Sequence, residues 1–208
     1  MTTDKISNCA SYFPLKNVHD VRQLFAFQLS SNEPDLVLLS IVAGSIENAM
    51  TKASDVNLIQ SFKSSHSSSA DESSDDKAED NDDKSEFTTN ANLKIEPQVD
   101  WHTIEALYGR FHAVLTNLCD VSLLEKARES KAEQNGDLLR LIKHVADIIW
   151  NTLSKAQYKD RPHLQSIYSY LTGNKLDCFG VAFAVVAACQ MLSLSGIHLA
   201  LSEDHACN

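Results

Sequence analysis

Residues 175–206 read KLDCFGVAFAVVAACQMLSLSGIHLALSEDHA, and the rest of the chain is best understood outward from them. Cys178, Phe179, Gly180, Val181 and Ala182 open an apolar segment continuous enough to be a buried helix. Gly196, Ile197, His198, Leu199, Ala200 and Leu201 follow with strand character, and Asp204, His205 and Ala206 close the stretch. The pattern is a buried helix capped by a cysteine, then a strand that delivers a histidine. These are two parts of a thiol-hydrolase site: a helix N-terminus favours a thiolate, and a neighbouring imidazole can take the proton. Cys178 and His205, 27 positions apart, are the candidate nucleophile and base.

The chain has 208 residues, enough for one domain or one and a half with a real core. Hydrophobic content of 43% against 22% charged residues places it among soluble globular proteins. Its net charge of −10 is concentrated: residues 71–86 hold nine acids against Lys77 and Lys84, a net of −7 that leaves −3 for the remainder. No basic stripe or tail is present, which argues against direct nucleic-acid binding. The apolar run 179–188 is too short to span a bilayer, so no membrane partner is expected. Cys9, Cys119, Cys178, Cys189 and Cys207 form an odd set without C-x-x-C spacing, and the first residues lack a signal-peptide core. Both features indicate a reducing compartment with free thiols.

Residues 1–12 are polar and read as loose, and Phe13, Pro14 and Leu15 form an apolar foot that should dock on the domain it leads into. Asn17 can cap a helix to about residue 30, with Val18, Val21, Leu24, Phe25 and Leu29 at helical spacing. Residues 32–35 read as a turn with Pro34 near the first turn of a second helix, whose Leu36, Leu39, Ala43, Ile46 and Met50 share one face. Val37, Leu38, Ile41 and Val42 add another face, so this helix should be buried on most sides, with Gly44 costing it about 1 kcal/mol. From residue 61 the composition turns to serine and acid, which cannot bury enough apolar surface to offset chain entropy. Asp100 can cap a helix from 101 to about 118, carrying Ile104, Leu107, Tyr108, Phe111, Val114, Leu115 and Leu118. Residues 120–136 read as a charged connection, and Asp137 starts a strong helix with Leu138, Leu141, Ile142, Val145, Ile148, Ile149 and Leu153 inward. Pro162 suggests the first turn of another helix, ended by Thr172, Gly173 and Asn174. Cys119, Cys189, Trp101 and Trp150 read as packing residues, and His144 and His163 lack companions at metal-ligand spacing. No metal and no cofactor is expected.

Several blocks resemble the menin family. They include Glu33, Pro34, Asp35 and Leu36 through Ser40; Ala106, Leu107, Tyr108, Arg110 and Phe111; and Ile149, Trp150 and Asn151. Lys159, Asp160 and Arg161 belong with them, as do Gly180 through Val186 and His198 through Ala206. The resemblance covers about 13–50 and 101–206 and leaves out the acidic insert. It implies an α+β, predominantly helical fold in three parts: an N-terminal helical segment (1–60), a disordered acidic insert (61–94) and an incomplete transglutaminase-like domain (95–208). The further implication is a non-enzymatic scaffold in the nucleus. Its partners would be a peptide of an MLL-type histone methyltransferase and a Jun-family transcription factor, with the peptide contacted by Leu201, Ser202, Asp204 and His205. Cys178-x-Gly180-x-Ala182 with His205 and Ala206 is also similar to the dyad of transglutaminase and papain-like enzymes. Menins of vertebrates carry serine at the Cys178 position, so the resemblance implies a vestigial dyad, with a residual thiol acyltransferase or hydrolase as the alternative. The family pattern continues His-Ala-Trp where this chain has His205, Ala206, Cys207 and Asn208, so the expectation is a chain truncated on its C-terminal side, lacking most of the peptide pocket.

Overall fold

Apolar residues recurring at a 3.6-residue period make helices with one buried stripe, and helices dominate this protein. The computed structural model describes residues 6–66, 98–129, 136–154, 164–194, 196–201 and 206–207. In order, the elements are a 3-10 helix (Ser7–Tyr12), α1 (Val18–Leu29), α2 (Leu36–His66), α3 (Trp101–Leu118) and α4 (Val121–Glu129). Then come α5 (Gly136–Thr152), α6 (Ile167–Gly173), α7 (Cys178–Met191), β1 (Ala200–Leu201) and β2 (Ala206–Cys207). The two short strands pair antiparallel, Ala200 with Cys207 and Leu201 with Ala206. Among the described residues this is the whole sheet, so the fold described is predominantly helical. No single described helix is long and apolar enough to cross a membrane.

Residues 6–12 are more ordered than their polarity suggests, and residues 1–5 lie outside the described residues. Ile6 and Cys9 are fully buried, because a 3-10 helix repeats every three residues and puts them on one side with Tyr12. The Tyr12 ring packs on Phe27 with centroids 5.3 Å apart. Leu15, as expected, docks: it exchanges backbone hydrogen bonds of 2.9 and 3.1 Å with Val99, and Phe13 packs on Trp101. Asn17 caps α1 by accepting from the N–H groups of His19 and Asp20. Leu24 is buried while Val18 and Leu29, at the helix ends, are 75% and 64% exposed. The apolar stripe of α1 is longer than the surface it meets.

The start of α2 is half-buried, and its unpaired N–H groups need partners. Asp35 Oδ1 accepts from Leu38 N–H at 2.9 Å, and Gln190 Oε1, from the end of α7, accepts from Leu36 N–H at 3.0 Å. Gln190 Nε2 also donates to the carbonyl of Pro34 at 2.8 Å, and Pro34 sits near the first turn, two residues ahead of Leu36. Gln28 Oε1 accepts from Asp35 N–H, and Tyr108 donates its hydroxyl to Asp35 Oδ2 at 2.7 Å. Burial, then the Asp35 charge, push the Tyr108 hydroxyl far above its ordinary pKa. From there α2 runs with Val37, Leu38, Ile41 and Val42 buried. It continues through His66, so residues 61–66 are helical and do not belong to the insert. No glycine or proline interrupts residues 51–66, and extending a formed helix is easy compared with nucleating one. Residues 67–94 of the expected insert lie outside the described residues.

Two connections differ from the sequence reading. Residues 121–129 form α4, because Asp120 caps them by accepting from Ser122 and Leu123 N–H, and because Leu123, Leu124 and Ala127 reach the core. Arg128 Nη2 then donates to the Leu192 carbonyl at 2.6 Å, tying α4 to the end of α7. The helix expected from Pro162 starts instead at Ile167, with Ser166 as its cap, and ends with Asn174 in the left-handed region at φ 51°. Trp150 is 65% exposed on the outer side of α5, not a packing residue.

One apolar cluster joins Ile6, Leu24, Leu38, Ile41, Ile104, Phe111, Leu141, Ile149, Ile167 and Val185. Each such side chain, fully buried, is worth about 1.5–3 kcal/mol. Small residues set how closely the helices approach. A Cβ on Gly44 would strike Ser166 Oγ and come within 2.5 Å of Tyr168 Cβ. Beside it, the buried Ser40 Oγ accepts from Ile167 N–H at 2.9 Å. Gly44 is what lets α2 receive the start of α6.

Gly44→Ala should therefore destabilise the protein, overlap costing about 1–3 kcal/mol against a gain of about 1 in helix propensity. Gly109→Ala, in α3 with nothing within 4 Å of its Cβ, should stabilise it. Urea midpoints check both, and a rise for Gly44→Ala would contradict the close approach.

Candidate functional site

Cys178 is the first residue of α7, and its side chain is exposed. The cap is its neighbour: Asp177 Oδ1 accepts from Gly180 N–H at 2.7 Å. A sequence reading that sees the cysteine at the head of an apolar run misses this. The available signal was ordinary, an aspartate directly before the first periodic residue. The consequence is chemical. The first-turn donor of α7 at Gly180 is already engaged by a carboxylate.

The backbone around the site is tightly built. Asp177 N–H donates to the Leu164 carbonyl at 3.0 Å, and that same carbonyl would lie 2.7 Å from a Cβ on Gly180. Gly180 thus allows the chain at 164–165 to cross the first turn of α7, as its place in the motif suggested. Phe179 and Phe183 stack one turn apart with centroids at 6.2 Å. Beyond the first turn, residues 184–189 are all buried, so α7 is a core helix with one accessible end.

Leu201 lies in β1 and pairs with Ala206, and β2 packs against α7. The ladder that holds Leu201 therefore runs beside the helix that carries Cys178. Ser202, Asp204 and His205 are outside the described residues. His198, on the approach to β1, is exposed. His144 Nε2 sits 3.1 Å from the Leu118 carbonyl, a hydrogen bond to backbone, and His163 lies outside the described residues. No group of three histidines, cysteines or acids able to hold a metal occurs among the described residues.

Cys9, Cys119 and Cys189 are shielded. Cys189 is fully buried, and burial pushes its pKa up to about 12. Burial also raises Cys9, although the 3.0 Å hydrogen bond from Gln28 Nε2 opposes the shift. Cys119 follows directly after α3 instead of lying on its face, is half-buried, and is raised by burial as well. Gln190 is the other residue a sequence reading passes over. Its signal is being the single polar side chain in an otherwise apolar helix.

With this geometry in hand, the chain can be set beside known proteins. The family model for Menin matches residues 6–208. Among solved structures, the chain is similar to menin in the crystal structure that reveals its binding site for the Mixed Lineage Leukemia (MLL) protein. The TM-score is 0.60 at 36% identity, covering 93% of this chain and 33% of that one. The chain thus spans about a third of the length of that menin.

The shielded thiols make a pH prediction. Their folded pKa values lie above the unfolded ones, that of Cys189 at about 12, so their contribution is constant below the unfolded pKa near 9 and declines as pH rises above it, because the unfolded state ionises first. Urea unfolding between neutral pH and pH ~10.5 should show falling stability above pH ~9. A Cys189→Ala variant should show a shallower decline, and an unchanged slope would exclude Cys189 as a contributor.

Proposed function

The chain belongs to the menin family, and from that premise we propose that it serves in a non-enzymatic nuclear scaffold. In this reading the scaffold joins MLL-type histone methyltransferase complexes and transcription factors, Jun-family proteins among them, to chromatin. The match over residues 6–208 carries the proposal, and the MLL-binding site of the similar solved menin supports the choice of partner. Residues 95–208 act as a transglutaminase-like unit whose thiol machinery has given way to recognition. Leu201, Ser202, Asp204 and His205 contact the peptide from the ladder beside α7, and Cys178 takes no part in chemistry. The Asp177 cap agrees with that last point, because it occupies the first-turn donor that an activated thiolate would use. Since the chain spans 33% of the similar menin, peptide binding requires walls that the longer protein supplies.

Immunoprecipitation of the native protein from nuclei should recover histone methyltransferase activity, and recovery of none would overturn the scaffold reading. In a fluorescence-polarisation titration, these 208 residues alone should not bind an MLL-type peptide with submicromolar affinity; such binding would show the pocket to be complete here.

The accessibility of Cys178 favours one second reading, a residual cysteine–histidine acyltransferase or hydrolase. Iodoacetamide at pH 6 separates the two. Slow labelling of Cys178, unchanged in His205→Ala, is expected. Stoichiometric labelling that disappears in His205→Ala would establish the thiol enzyme instead.

A further inference from the structure

Where the 3-10 helix, the end of α1 and the approach to α2 meet there is a cavity of about 330 Å³, lined chiefly by Cys9, Phe27, Gln28, Glu33 and Asp35. Ligand sites run from about 300 to 1,000 Å³, so it has room for one long side chain or a small molecule. The scaffold proposal places its peptide contacts on and after β1 and leaves this cavity without a role.

The groups that line it favour a positive charge. Asp35 is half-buried. Its carboxylate can accept about four hydrogen bonds, and Leu38 N–H and the Tyr108 hydroxyl take one on each oxygen. Glu33 is exposed at the rim, and among the described residues neither acid is ion-paired. No lysine, arginine or histidine is among the lining residues. The cavity also lies at the C-terminal end of α1, whose last turn has no basic residue to meet the negative end of the helix dipole. The opposing, positive end of α2 is met inside the protein, by Asp35 Oδ1 on Leu38 N–H and by Gln190 on Leu36 N–H.

The remaining lining narrows the ligand further. Phe27 is 41% exposed and held against Tyr12, and an aromatic face attracts cations, guanidinium above all. Gln28 is fully engaged, with Nε2 on Cys9 Sγ and Oε1 on Asp35 N–H, so recognition falls to the two acids and the ring. A metal ion is a poorer fit, because no three ligating groups converge among the described residues.

We propose that this cavity binds an organic cation, an alkylguanidinium or alkylammonium group, with its charged head between Asp35 and Glu33 and against the Phe27 ring. Such a group comes from a basic peptide side chain or from a free amine.

Titration of the 208-residue chain with butylguanidinium, followed in proton–nitrogen correlation spectra, tests this. Saturable shifts are expected at the amides of Cys9, Phe27, Gln28, Glu33 and Asp35, and none with butylurea, the neutral counterpart. Glu33→Gln and Phe27→Leu, both at exposed positions, should each weaken binding several-fold, whereas Asp137→Asn on α5 should leave it unchanged. Equal shifts with butylurea or with sodium chloride would overturn the proposal, and so would affinity that neither cavity variant alters. An Ac-Gly-Arg-Gly amide that binds more tightly than spermidine would assign the site to a peptide side chain, and the reverse to a free amine.

Discussion

Gln190 holds the beginning of α2 from 154 residues away, and most of the structure is arranged around that bond. A helix that starts inside a protein brings N–H groups that water cannot reach, and each one left unpaired costs about 1–3 kcal/mol. Here Asp35 satisfies Leu38, Gln190 satisfies Leu36, and Gln28 satisfies Asp35 itself. Asp35 is in turn held by the Tyr108 hydroxyl, so α1, α2, α3 and α7 meet at one polar node. A glutamine near the end of an apolar helix would otherwise be a liability. Both ends of its amide are used, which turns that liability into the fixed point of four helices.

Around this node, packing is set by how little side chain stands at the crossings. Gly44 admits the turn at Ser166, and Gly180 admits the chain at Leu164, so α6 and its approach are pressed against α2 on one side and α7 on the other. The hydrogen bonds at these crossings follow from the closeness: Ser40 to Ile167 N–H, Asn48 Nδ2 to the Tyr168 hydroxyl, and Thr152 to the Tyr170 hydroxyl. Phe111 and Tyr170 meet edge to face at 6.0 Å and 88°, carrying the same packing to α3. The accessible end of α7, with Cys178, is therefore mounted on closely packed helices.

Much of the helical scaffold was legible. Asn17 and Asp100 announced α1 and α3, and both side chains accept the predicted N–H bonds. Of the stripe expected on α3, Ile104, Tyr108, Phe111 and Leu115 are buried while Leu118 is 51% exposed at the helix end; on α5, Leu141, Val145, Ile148 and Ile149 are buried. Misreadings came where composition was taken for conformation. Charged residues 121–129 are a helix because Asp120 caps them, and the polar N-terminus is ordered because Ile6 and Cys9 recur at three and not at four. Pro162 looked like a helix start, but the described helix begins at Ile167 behind its own cap, Ser166. The candidate site was half legible: Cys178 stands where the motif put it, and its cap is the residue before.

What the sequence by itself determined are features written within one turn of chain: caps, periods, the acidic tract and the uninterrupted blocks that mark the menin family. These depend on neighbours three or four residues apart, and such neighbours are visible in order along the chain. Tertiary structure alone decided that Gln190 would clamp Pro34 and Leu36, that Gly44 would be indispensable to a crossing, and that Val18, Leu29 and Trp150 would stay outside the core. The reason is geometric. Those outcomes depend on which surfaces meet between residues more than a hundred positions apart, and no local period records where a distant helix will lie.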